Sequence, residues 1–254
     1  NMAIALWGMA YAWGPNINNM LIEPSQIAKS ELAVRLAALK AKGKPAIERD
    51  LIAALAVRYV TPVPEDRRPL NQAYADAMRK VHQKHDDSPL VPALFSESLM
   101  NLQPWKHWNP DGTQGPQTLE ILKVLEEGLR RWTNHPALCH LYIHSMEASP
   151  TPEKALPAAN RLRNAMPGIG HLVHMPTHID IWVGDYESVI RSNQMAIVVD
   201  SEFVRREGPY NFYTYYRIHN YHFVVYGAMF DGQSELALRT ARELVKQVSA
   251  DMLK

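Results

Sequence analysis

His171-Leu172-Val173-His174-Met175-Pro176-Thr177-His178, followed by Gly184-Asp185-Tyr186, is the stretch on which the fold turns. Its His174 and His178 repeat, 34 residues on, the pair His140 and His144. The phase returns a further 48 residues along, where His219, His222 and Gly232 stand to one another as His171, His174 and Gly184 do. Self-similarity at such a period marks stacked helical hairpins, because one hairpin cannot bury its apolar faces alone and needs a neighbour. The longer interval takes its extra residues in the connection Asp200–Tyr210, which contains Gly208-Pro209.

Outward from this stretch, helix-length apolar patterns alternate with short breaks of Gly, Pro, Asp or Asn, and no run of alternating β-branched residues calls for a sheet. The patterns predict helices over 2–13, 24–41, 45–60, 68–84, 89–102, 116–132, 136–148, 152–165, 172–183, 186–200, 211–230 and 233–250. They pair into six hairpins. A second long connection, Gln103–Gly115, carries Trp105-Lys106-His107-Trp108, which could close over a groove or pack against an edge.

With 46% hydrophobic residues in 254, the chain can bury a substantial core, and disorder is a poor reading. Lys plus Arg (27) nearly balances Asp plus Glu (26), so the excess positive charge that drives binding to nucleic acid is missing. No stretch reaches the roughly 20 apolar residues that span a bilayer, which predicts a soluble chain. It begins at Asn1 just ahead of one predicted helix and stops near the end of another, as a fragment of a longer protein would. Cytoplasm and periplasm both remain open. A single cysteine, Cys139, excludes a disulfide framework and a Cys-rich zinc module, whereas eleven histidines are unusual.

The 34-residue offset, Trp7-Gly8 with Ala10-Tyr11, and Gly184-Asp185-Tyr186 resemble the tetratricopeptide repeat. The resemblance implies one all-α domain over 1–254, a right-handed superhelical array of about six helix-turn-helix repeats. Leu6-Trp7-Gly8-Met9-Ala10, Trp13-Gly14-Pro15-Asn16-Ile17-Asn18, Arg68–Met78, Pro104-Trp105, Tyr142-Ile143-His144 and the His171–His178 string are more specific. They are similar to a bacterial family of tetratricopeptide-repeat proteins of unassigned function with His-rich repeat helices. That resemblance covers nearly the whole chain and implies no particular reaction.

In repeats of this kind the first helix of each hairpin lines a concave groove, and the patterned histidines fall on first helices. His140, His144 and Glu147, spaced four and three apart, share one helix face. His171, His174 and His178 repeat the pattern in the next hairpin, and His219 and His222 follow in the last. Several imidazoles with one carboxylate are the usual ligands of zinc, copper or iron, whereas calcium and magnesium prefer oxygen. His140, His144, His174, His178 and His222 are the principal candidate ligands, and His171 and His219 stand behind them. Glu147 is a candidate ligand or catalytic base. Seven imidazoles exceed one tetrahedral shell, so two metals bind or some rings support others.

Two functions fit these residues. One is a metal-dependent enzyme or receptor acting on a small-molecule substrate in the groove. The alternative is a protein-interaction scaffold whose groove takes a peptide or partner helix, with the histidines as hydrogen-bonding groups. For His82, His85 and His135, near polar helix ends, an ordinary structural role fits better. Glu97 could face the groove or lie in solvent. Pro176 conflicts with an unbroken helix from Gly170, so that the helix either loses a hydrogen bond or begins near Val173.

Overall fold

A computed structural model describes residues 2–20, 22–209, 211 and 213–248. The described residues are helical, with no named strand among them, and contacts divide the chain into two compact units, Asn1–Trp132 and Thr133–Lys254. None of the described helices is long and apolar enough to cross a membrane.

The first unit consists of α1 (Met2–Trp13), α2 (Pro24–Leu39), α3 (Ala46–Ala56), α4 (Arg68–Lys84), α5 (Leu90–Met100) and α6 (Thr118–Arg131). Each helix packs on the next, and α1 also meets α3. The starts follow proline chemistry: α2 and α4 carry Pro in the first turn, where a missing N–H costs nothing. In α4 the buried face is Tyr74, Met78 and Val81, and in α6 it is Ile121, Leu125 and Leu129, both at helical spacing. Helix α5 is buried along nearly its whole length, polar residues included. Glu97 is therefore an interior residue and not a solvated one.

The second unit begins with α7 (Pro136–Met146), a 3-10 turn at Pro152–Ala155 and α8 (Leu156–Leu162). It continues through α9 (Gly170–His174), α10 (Thr177–Val183), α11 (Tyr186–Glu207), α12 (Tyr213–Phe230) and α13 (Ser234–Gln247). Helix α7 packs on α8, α9 and α10 pack on α11, and α12 packs on both α11 and α13. Gly184, at φ 79°, ends α10 in the left-handed region, and the Asp185 side chain accepts the Ser188 N–H at 3.1 Å to start α11. Where α12 crosses α11, a Cβ at Gly227 would lie 2.9 Å from Val189 Cγ1, so only glycine allows that approach. Ile190, Val224, Ala228 and Ala237 fill the space between these helices.

Two expectations need correction. The helix expected over 172–183 is two helices, with Pro176 and Met175 at the break, because Pro176 has no N–H to donate and its ring displaces the preceding turn. Helix α11 runs to Glu207, so much of the expected Asp200–Tyr210 loop is helical, and Arg205 and Arg206 in its last turn suit a helix C-terminus. The ends expected near 210–212 and 249–250 fall partly outside the described residues.

Candidate metal centre

The elements of the second unit bring seven of the eight candidate side chains together. Helix α7 contributes His140 and His144, with Glu147 at its C-cap, while α9 contributes His171 and His174, α10 contributes His178 and α12 contributes His219. They form two triads, His140/His144/His171 and His174/His178/His219, in each of which one ligand atom per ring lies within 4.8 Å of the others. The triads adjoin: ring centroids of His144 and His178 are 6.0 Å apart, and those of His171 and His174 are 6.2 Å apart. His222 is exposed, 6.3 Å from His219 between centroids, and belongs to neither triad. His219 stands in the place expected for it.

Glu147 joins the triads from outside. Its Oε1 accepts from His144 Nδ1 at 2.9 Å, and its Oε2 accepts from His178 Nδ1. Burial works to raise the Glu147 carboxyl, but the charges of His178 and His144 and their hydrogen bonds hold it well below the ordinary carboxylate value. It is an ionised acceptor, so both Nδ1 atoms carry protons. In metal centres a carboxylate on the far nitrogen commonly orients the ring and raises its basicity.

His174 is fixed by an amide. Asn193 Nδ2 donates to the Thr177 hydroxyl at 3.1 Å and to the Val189 carbonyl at 2.8 Å, which turns Asn193 Oδ1 toward His174 Nδ1 at 2.6 Å. Nδ1 therefore donates. His174, neutral and with its proton on Nδ1, turns an Nε2 lone pair toward His178 Nε2 at 2.8 Å. Two ring nitrogens this close share either a proton or a metal ion. In the first triad, His140 Nε2 and His171 Nε2 approach to 3.1 Å. Two nitrogens on a tetrahedral ion, each about 2.0–2.1 Å from it, stand roughly 3.3 Å apart.

Electrostatics keep four of the rings neutral. Burial, reinforced by neighbouring histidines, depresses His140, His171 and His174 well below the usual imidazole value, and His219 to about 4 by the same causes. Neutral imidazole is the form that ligates. Cys139, buried in α7, belongs to neither triad, and burial pushes its thiol up to about 11.

The other singled-out residues are structural. His85 pairs with Asp50 at 2.7 Å, and His82 stacks on Phe95 at 5.3 Å between centroids. His107 belongs to the first unit, where its Nδ1 meets Gln103 Nε2 at 3.1 Å and its carbonyl accepts from the Thr118 hydroxyl. Trp105 is largely exposed.

Asp200 was not singled out from the sequence. It is fully buried on α11, its Oδ2 accepts from Asn220 at 2.6 Å, and a Cβ at Gly170 would lie 1.9 Å from its Oδ1. It thus braces the start of α9 just before His171. Burial outweighs the Tyr213 hydrogen bond, the Arg217 charge and the Asn220 hydrogen bond and pushes its carboxyl up to about 6. Because the folded value is raised, this group's contribution to stability is present below pH 4 and is lost as the pH rises through about 6. Asp200→Asn should raise stability above pH 6 by about 3 kcal/mol and flatten its pH dependence between 4 and 6, as urea midpoints across that range would measure.

Comparison with protein-family models, with curated proteins and with solved structures finds no match to this chain.

Proposed function

We propose that the second unit is a two-ion transition-metal centre of the zinc, copper or iron type, with His140, His144 and His171 holding one ion and His174, His178 and His219 the other. The observation that carries this is the His174–His178 pair. Both rings have Nδ1 committed to an acceptor, and their Nε2 atoms face each other at 2.8 Å. Glu147 serves both triads as the group that orients the rings. Three protein nitrogens per ion leave a position for water or a substrate atom, which is the arrangement of catalytic sites and not of closed structural ones. A metal-dependent enzyme is accordingly the function these residues suit.

We further propose that the helices are tetratricopeptide-like repeats of a right-handed superhelical array. The 34-residue offset between His140/His144 and His174/His178, and the packing of each helix on the next in the first unit, support it.

The test is direct. Protein purified without an affinity tag, stripped by chelation and titrated with zinc, copper(II) or iron(II) in a calorimeter should bind two ions per chain. A chain that takes up none of the three ions overturns the proposal.

A further inference from the structure

The first unit buries an arginine whose hydrogen-bonding capacity nothing near it meets. Arg58 follows α3 and is 0% exposed, and its Nε, Nη1 and Nη2 all lack a hydrogen-bond partner. Its guanidinium lies over the Tyr74 ring, 4.8 Å from the centroid. That contact uses the face of the group, while its N–H bonds point outward in its plane. Buried N–H donors without acceptors forfeit the hydrogen bonds that water would give them.

A second guanidinium stands beside it. Arg67 Nη2 donates to the Arg58 carbonyl oxygen at 2.9 Å, while its Nε and Nη1 are buried without a partner. Burial, and then the charge of Arg58, lower the pKa of Arg67, as two neighbouring cations require. The charge of Arg58 is the first influence that opposes the burial of the nearby acid, Glu97, but the carboxylate accepts a hydrogen bond from neither arginine. Glu97 is buried, its Oε1 accepts from Asn101 Nδ2 at 2.8 Å, and its Oε2 accepts from the Tyr11 hydroxyl at 3.2 Å. A backbone hydrogen bond from Ile17 adds a further donor.

Two of the specific sequence stretches build this place. Trp13–Asn18 brings Ile17 to Glu97, and its Gly14 is required because a Cβ there would lie 1.9 Å from the Tyr59 hydroxyl. That hydroxyl donates to the Ala10 carbonyl at 2.7 Å, tying the residue after Arg58 to α1. Arg68–Met78 supplies Tyr74 and, one turn earlier on α4, the buried Asn71, whose Oδ1 is also without a partner.

We propose that Arg58 and Arg67 form a binding site for the oxyanion of a small molecule, a carboxylate or a phosphate. Five buried nitrogens without partners, three on Arg58 and two on Arg67, are the donors. Planar guanidinium groups offer paired N–H bonds at the spacing of such oxygens, which is why arginine predominates where these groups are recognised. Asn71 Oδ1 is an acceptor for a hydroxyl or amino group elsewhere on the ligand.

The experiment uses the full chain stripped of metal by chelation, so that anions cannot bind through an ion at the histidines. Wild type, Arg58→Met and Arg67→Gln are titrated with inorganic phosphate and with acetate at constant ionic strength in a calorimeter. Saturable binding of one anion per chain is expected in the wild type, with loss in Arg58→Met and at least tenfold weakening in Arg67→Gln. Tighter phosphate marks a phosphorylated ligand, and tighter acetate marks a carboxylate. Absence of saturable binding of either anion to wild type, or equal binding to the variants, overturns the proposal. If Arg58→Met does not fold, Arg67→Gln decides alone, and unchanged affinity there overturns it.

Discussion

Glu147→Ala is expected to weaken metal binding about 10- to 100-fold at both triads together, the range typical for loss of a group that orients a ligand. One carboxylate holds His144 of one triad through Oε1 and His178 of the other through Oε2, so a single substitution loosens a ring in each. His174→Ala should act differently. It removes a ligand from one triad only, and the number of ions bound should fall from two to one while the remaining affinity changes little. Calorimetric stoichiometry and affinity, read together for the two variants, separate the cases. Equal effects of the two substitutions would show that Glu147 is not shared.

Arg163→Ala should cost about 3–5 kcal/mol of folding stability, the loss typical when one partner of a buried ion pair is removed. Arg163, just after α8, grips Asp180 with Nη1 and Nη2, both at 2.8 Å, and Asp180 is 1% exposed. Burial raises the Asp180 carboxyl even with the arginine in place, so without it the acid would be protonated or would force the region open. Asp180 lies half a turn beyond His178. Holding it to α8 therefore also holds α10, and Arg163→Ala should weaken the second triad before the first. Denaturant melts and metal titration of the variant check both statements.

Much of the helical layout was legible because apolar spacing and proline or glycine punctuation act locally. The α4 limits and the Pro136 start of α7 follow from such signals alone. The histidine faces were legible for the same reason, since four-residue spacing puts His140 and His144 on one stripe. What escaped depends on distance. Counting back from Gly184 and Gly232 made His222 the counterpart of His174, but the helix break at Pro176 falls within the first count while α12 runs unbroken to Phe230, so positions equal in count are not equal in space. His219 faces His174 and His178 instead. Arg58 gave no local sign of burial, because its neighbours Tyr11, Tyr74 and Glu97 come from α1, α4 and α5.

The break at Pro176 makes two equally spaced pairs into unlike tools. On the continuous α7, His140 and His144 stand as successive rungs, and the close Nε2 partner of His140 comes from His171 on another helix. Across the break, His174 and His178 turn their Nε2 atoms toward each other like the jaws of a pincer. Each triad takes its third ring from another helix, but the close Nε2 pair of the first joins α7 to α9, whereas that of the second lies within one short stretch of chain. If both triads hold ions, the pincer should load first and the α7 triad second, which stepwise calorimetric titration would read.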